Sequence, residues 1–361
     1  MIARLPDFPW DTLADAGARA RAHPDGVVDL SVGTPVDPVP QVIQEALTGA
    51  AWIPGYPTTH GTSALRDAAV AALARRHEVT VPQEAVLPTI GSKELVAWLP
   101  TLLGIGAADL VVIPALAYPT YEVGATLAGA TVLRADSTVA VGPARPALVW
   151  LNSPSNPTGR VLPAEHLRKV VDWARERGAI VVSDECYLTL GWETAPVSVL
   201  HPSVSGGSHD GVLAVHSLSK SSSLAGYRAG YVTGDPTLVA TLLAVRKHAG
   251  MIVPHPVQAA MTAALTDDEH VATQKARFGA RRTVLRTALT AAGFTIEHSE
   301  AGLYLWATRG EDAWATVDWL AGHGILVAPG TFYGPAGGSH VRIALTATDE
   351  RVAAAAARLT P

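Results

Sequence analysis

The chain holds a single cysteine, Cys186, among its 361 residues. An intramolecular disulfide is therefore excluded, and a thiolate metal cluster lacks the ligands to form. Lysine is nearly as scarce: Lys93, Lys169, Lys220, Lys247 and Lys275 are the whole set. At a formal net charge of −5 there is no basic footprint for nucleic acid or an anionic membrane surface, so any phosphate site must be local. Long apolar runs are missing as well. The uncharged stretch from Leu95 to Ala108 is too short to span a bilayer and is broken by Pro100, Gly104 and Gly106. The opening MIARLPDFPWDTLADAG carries prolines and aspartates where an export signal needs an apolar core. These absences predict a cytoplasmic protein with neither a membrane nor a nucleic-acid partner.

What is present points to a large folded core. With 48% hydrophobic and 16% charged residues, the chain is long enough for two domains. Short β-branched runs (AVLPTI, LVVIP, ALVWLN, AIVVSDE, GVLAVHS, YRAGYVTG) alternate with helical patterns up to PTLVATLLAVRKH. That alternation predicts an α/β domain, a mostly parallel sheet sandwiched by helices, with function in the loops at the strand ends. Past Pro254 a long helical stretch, about 257–292, leads into FTIEHS, LYLWATR, ILVAPG and HVRIALTA, the pattern of a smaller α+β domain. The expected division is a large domain over 41–254 and a small one from 1–40 and 255–361.

Four strand-end segments carry candidate chemistry. In HSLSKSSSLAGYRAG, Lys220 follows a strand directly, and Ser217, Ser219 and Arg228 offer hydroxyls and a guanidinium to a phosphate dianion; the alternative is a Ser-rich turn and a surface-paired arginine. In SDECY, apolar residues run into Asp184 and Glu185, so at least one carboxylate sits where burial is costly unless it is paired. An inward Asp184 can hold a proton on a heteroaromatic nitrogen, and Tyr187 can reach the same ring; an aspartate capping the next turn is the competing reading. NSPSNPTG is a turn on any account, with Asn156 at its tip beside a strand end. TIGSKELVAWL passes from strand through Gly91 and Ser92 to a helix start, where free backbone N–H groups form an anion site.

In order and spacing these segments resemble the fold type I pyridoxal phosphate enzymes, specifically the class I and II aminotransferases. The resemblance runs from Gly33 to the last helix. It implies that Lys220 holds the aldehyde of pyridoxal 5′-phosphate covalently and then moves protons. It further implies that Arg228, Ser217 and Ser219 bind the cofactor phosphate, completed by a cup of Gly91, Ser92 and Lys93. Asp184 is assigned to the pyridine nitrogen, and Tyr187 with Asn156 to the phenolic oxygen. PALAYPTYEVGA matches the segment whose aromatic residue, here Tyr118, stacks on the ring; a core tyrosine is equally compatible with that sequence. Tyr56, five residues before Gly61, matches a tyrosine that crosses a dimer interface to the neighbour's phosphate, which implies a homodimer with shared active sites. Arg342, mid-strand in HVRIALTA, needs an anion if buried, and the family supplies the substrate carboxylate; an internal salt bridge is the alternative. Gly33 lies where the N-terminal segment passes over that carboxylate, and Asn156 faces the substrate too. No metal is implied.

Beyond these motifs, VRKHAGMIVPHPVQAAM, ALTDDEHV, SEAGLYLWATR and GILVAPGTFYG are similar to the actinobacterial-type N-succinyldiaminopimelate aminotransferases of lysine and diaminopimelate biosynthesis. That implies glutamate as donor and N-succinyl-2-amino-6-oxopimelate as acceptor, with Arg246, Lys247, His248 and Lys93 as candidates for the distal carboxylate. A general aspartate-type aminotransferase and a carbon–sulfur β-lyase fit the same scaffold. So does, more remotely, an aminotransferase-like ligand-sensing domain.

Overall fold

A computed structural model describes residues 5–359. Its centre is a seven-stranded sheet in the order Val86–Ile90, Ala229–Gly234, Val212–Ser217, Ile180–Asp184, Leu148–Asn152, Leu110–Ile113, Thr131–Arg134. All neighbours pair parallel except Ala229–Gly234, which runs antiparallel to both of its partners. The α/β architecture is thus the expected one. Helices cover both faces, so the strands are apolar on both sides and read as unbroken hydrophobic runs. Within Leu148–Asn152, Leu148 and Trp150 join the core on one face while Val149 and Leu151 join the core on the other, the period of two that a strand imposes.

A second core belongs to a four-stranded antiparallel sheet, Ala328–Pro329, Val341–Ala344, Tyr304–Thr308, Thr295–Glu297, packed with the helices Glu269–Ala291, Ala313–Gly322 and Asp349–Leu359. The N-terminal segment joins it, because Val28–Asp29 pairs parallel with Ile325–Leu326 and Leu13, Ala16 and Ala20 enter the same core. ILVAPG therefore splits between two sheets rather than forming one strand.

The long helical stretch expected over 257–292 is two helices, His255–Thr266 and Glu269–Ala291. Asp267 causes the break: its backbone is extended and its carboxylate accepts from the N–H groups of Glu269 and His270, capping the second helix. Arg75 and Arg76 then clamp Asp268 at 2.5 Å each. His255–Thr266 lies beyond the expected boundary at 254, yet its Val257, Ala260, Met261, Ala264 and Leu265 pack into the large-sheet core with Ile43 and Leu65. Residues 1–4 and 360–361 of the expected small domain lie outside the described residues. No helix among the described residues is long and apolar enough to cross a membrane.

Candidate active site

The parallel strands Leu148–Asn152, Ile180–Asp184 and Val212–Ser217 all finish at one edge of the sheet, where their carboxyl ends open a crevice. A cavity of about 620 Å³ lies there, bounded on its other side by the small domain and the N-terminal segment. Of the residues singled out in the sequence, Gly33, Ser92, Lys93, Tyr118, Asn156, Asp184, Tyr187, Ser217, Ser219, Lys220, Arg228 and Arg342 all line it. Tyr56 does not. It stands 98% exposed in a loop, so within one chain it has no route to this cavity.

Lys220 follows the strand end by three residues, and its ammonium donates to the carbonyl of Gly33, joining the large domain to the N-terminal segment. Gly33 has to be glycine here, since a Cβ would collide with the Tyr304 hydroxyl. Burial drives the Lys220 pKa below its ordinary value, and the Arg342 and Arg228 charges push the same way. An amine so placed is more readily deprotonated than one in water.

Asp184 is buried at the end of its strand. Its Oδ2 accepts from the Tyr121 hydroxyl at 2.8 Å and its Oδ1 from the Cys186 N–H at 3.2 Å. Burial raises its pKa, and these hydrogen bonds offset part of the rise. Tyr121 itself stacks on Trp150 at 4.8 Å and presents its edge to Tyr118 at 5.8 Å. Asn152 completes the strand-end network, donating to the Asp184 carbonyl at 2.9 Å and accepting from the Asn156 N–H at 2.7 Å.

Ser92 begins the helix Ser92–Leu102, and Gly91 before it adopts φ +73°. Only glycine fits that position, because the Arg228 guanidinium lies where a Cβ would be. Arg228 has φ +57°, a left-handed conformation that a non-glycine residue keeps only when its surroundings enforce it. The guanidinium donates to the Ala225 carbonyl at 2.7 Å and faces the cavity beside Ser217, Ser219 and the helix start. A guanidinium, three hydroxyls and an open helix N-terminus match a phosphate dianion.

On the small-domain side Arg342 is 2% exposed in Val341–Ala344. It has no carboxylate partner of the kind an internal salt bridge requires; it donates to Asn156 Oδ1 at 2.9 Å and to the Ser31 carbonyl at 2.6 Å, and Nε has no partner among the described residues. Its guanidinium lies 3.9 Å from the centre of the Tyr304 ring, and the Tyr304 hydroxyl meets that of Tyr187 at 3.2 Å. A buried, incompletely partnered guanidinium open to the cavity fits a carboxylate.

Among the distal candidates Arg246 is corrected: its side chain is fully buried and forms a bidentate pair with Glu94 at 2.8 and 3.1 Å. Lys247 and His248 lie on the exposed last turn of Pro236–Ala249 and do not line the cavity. Lys93 does, at the rim, 5.5 Å over the Phe8 ring. The sequence reading missed Tyr121, Tyr304, Asn152, Phe8 and Trp10. Tyr121 had a signal, being one helical turn from Tyr118. Asn152 opens the same NSPSNPTG segment as Asn156, which it bonds; the contacts of Tyr304 join segments far apart in the chain.

The model of the "Aminotransferase class I and II" family matches residues 25–359. A probable aminotransferase of Mycobacterium tuberculosis is 69% identical over 99% of this chain and 86% of the relative. The 4-dedimethylamino-4-oxo-anhydrotetracycline transaminase OxyQ of Streptomyces rimosus is 61% identical over 99% of this chain and 100% of the relative. Among solved structures, a probable N-succinyldiaminopimelate aminotransferase from Thermus thermophilus superimposes with a TM-score of 0.88 at 28% identity, over 98% of this chain and 99% of that one. The chain belongs to the class I and II aminotransferases, has their fold type I architecture, and uses pyridoxal 5′-phosphate.

Proposed function

We propose that this aminotransferase moves the amino group of glutamate to N-succinyl-2-amino-6-oxopimelate. One observation carries the site assignment: Lys220 and Arg342 share a single cavity, an amine and a carboxylate-binding guanidinium facing the same space. When bound, pyridoxal phosphate supplies an electron sink for the electrons of the substrate's α-carbon. Lys220 would anchor it and, as a free amine, would take up and give back the α-carbon proton, serving as general base and then general acid. Its depressed pKa suits that task. Asp184 would hold the ring nitrogen protonated, Tyr187 and Asn156 would take the phenolic oxygen, and Tyr118 would cover the ring. Arg228, Ser217, Ser219, Ser92 and the backbone at Gly91 hold the phosphate. Arg342 takes the α-carboxylate through Nε and its fork.

For the succinylated acceptor the support is Lys93 at the rim and the likeness to the Thermus thermophilus structure. A second reading is a bulky cyclic ketone, of the kind that the name of OxyQ describes. It is supported by 61% identity and by the aromatic wall of Phe8, Trp10 and Tyr118.

The deciding experiment offers the succinylated acceptor, oxaloacetate, pyruvate and a polycyclic ketone side by side, with glutamate as donor. Two charged hydrogen bonds lost with a short acceptor, at about 1.5 kcal/mol or more each, predict at least a roughly hundredfold advantage in kcat/KM for the succinylated one. Equal use of oxaloacetate would make this a general aspartate-type enzyme. Preference for the polycyclic ketone would favour the second reading. Release of ammonia, pyruvate and a thiol from cystathionine, with no keto acid added, would make it a β-lyase.

A further inference from the structure

Behind the cofactor crevice, on the opposite face of the sheet, lies a second polar site that the proposed reaction does not use. Glu185 directly follows Asp184, and by strand alternation its side chain projects to the other side. That side chain is fully buried. Its Oε1 accepts from the Val199 N–H at 2.7 Å. Its Oε2 and the Nε2 of His216 face each other at 3.9 Å, too far for a hydrogen bond, and neither has a partner among the described residues. A cavity of about 30 Å³ opens beside them, lined by both side chains. One water molecule needs roughly 10–15 Å³ and two or more polar partners, and both conditions are met.

Two buried polar atoms without partners, beside a space of water size, are costly unless that space is filled. The charge state follows from the surroundings. Facing the pair are His77, Arg76, Cys186 and Tyr231, while the Asp184 carboxylate, one residue back on the other face, still acts on Glu185 by its charge. Arg76 is occupied by Asp268 and by the carbonyls of Ala264, Leu265 and Asp267, so it offers Glu185 no counter-charge. The His216 ring stacks on Tyr231 at 4.7 Å, and burial pushes His216 to about 3 and His77 to about 4, leaving both neutral. Burial lifts the Glu185 carboxyl to about 7.

We propose that Glu185 is held as a neutral carboxylic acid whose Oε2 hydroxyl donates to one internal water, which in turn donates to Nε2 of His216. The bridge ties Ile180–Asp184 to Val212–Ser217 just where they present Asp184 and Ser217. Glu185 is thus a positioning residue, and the absence of a second negative charge beside Asp184 is part of its role. This last point rests on the proposed function; the protonation state does not.

The test compares the full-length protein with Glu185→Gln and Glu185→Ala. Glutamine keeps a donor and an acceptor but cannot ionise. Between the ordinary glutamate value and about 7 the folded parent keeps a proton that the unfolded chain releases, so its stability falls as pH rises through this window. Relative to Glu185→Gln, the parent should lose roughly 3–6 °C of melting temperature from pH 5 to pH 7.5. Infrared spectroscopy of the parent at pH 6 should show a protonated-carboxyl band that Glu185→Gln removes. Cofactor affinity should survive in Glu185→Gln and fall at least roughly tenfold in Glu185→Ala. A parent with no such band, or a melting difference independent of pH, overturns the neutral acid. Equal cofactor affinity in the two variants overturns the positioning role. If Glu185→Gln fails to fold, Glu185→Ala takes its place, and a protonated-carboxyl band that persists in it overturns the neutral acid. Loss of the proposed acceptor preference touches none of these readouts.

Discussion

Arg342 donates to Asn156 Oδ1 across 2.9 Å, linking Val341–Ala344 of the four-stranded sheet to the turn after Leu148–Asn152, while Arg342 Nε has no partner among the described residues. The guanidinium is therefore held in place before substrate arrives. Arg342→Lys keeps the charge and loses the planar fork. It should lower kcat/KM for glutamate about 100- to 1,000-fold, mainly through KM, with the cofactor absorbance unchanged. A loss confined to kcat, seen in steady-state kinetics, would contradict carboxylate binding.

Asp184→Asn removes the anion assigned to the ring nitrogen. Single-turnover kinetics should show a rate lower by on the order of a thousandfold or more. Tyr121→Phe removes only the 2.8 Å hydrogen bond to Asp184 Oδ2 and should cost about 0.5–1.5 kcal/mol, roughly two- to tenfold in rate. Near-normal turnover by Asp184→Asn would reject the assignment.

Asp37 receives both arms of Arg281, at 2.6 and 2.7 Å, and so fastens the N-terminal segment to Glu269–Ala291. Burial pushes the Asp37 carboxyl up, but hydrogen bonds from Arg281 and Gln274 with the Arg281 charge outweigh it and hold the carboxyl below its usual range. A lowered folded value contributes stability above the unfolded pKa and loses it as pH falls through the folded one. Asp37→Asn should be about 1–3 kcal/mol less stable than the parent at pH 7. In denaturant titrations that gap should narrow steadily below about pH 4.

Tyr56 tests the assembly. If its hydroxyl reaches a second chain's cofactor phosphate, Tyr56→Phe should weaken cofactor binding roughly ten- to a hundredfold, the worth of one hydrogen bond to a charged group. Mixing Tyr56→Phe subunits with Lys220→Ala subunits should restore activity in hybrid dimers, which hold one site with both defects and one with neither. Verified hybrids without recovered activity would place Tyr56 outside the site.

Much of the cofactor crevice was legible along the chain because it is built from strand ends, and a strand end is a local pattern. Asp184 and Ser217 end mainly apolar strands, Asn156 lies in the turn just past another, and Gly91 stands between a strand and a helix. Arg246 shows where this kind of reading stops. On its helix it looks like any basic residue in a last turn, and only the fold brings Glu94, 152 residues away, against it. Tyr304 is likewise unremarkable in LYLWATR until the small domain closes over Gly33 and Tyr187.

The sequence by itself determined the α/β architecture, because β-strand periodicity and strand-to-loop transitions are written in consecutive residues, and through its resemblance to a family it singled out Lys220, Asp184 and Arg342. The tertiary structure alone decided that Lys220 rests on the Gly33 carbonyl, that Arg342 is steadied by Asn156 and Ser31, and that His255–Thr266 packs with the large sheet beyond the boundary expected at 254. It alone decided that Glu185 and His216 meet, at 3.9 Å, beside a water-sized space. Each of these is a contact between segments remote in sequence, set by which buried polar groups find partners when two domains share one crevice, and no local pattern encodes that pairing.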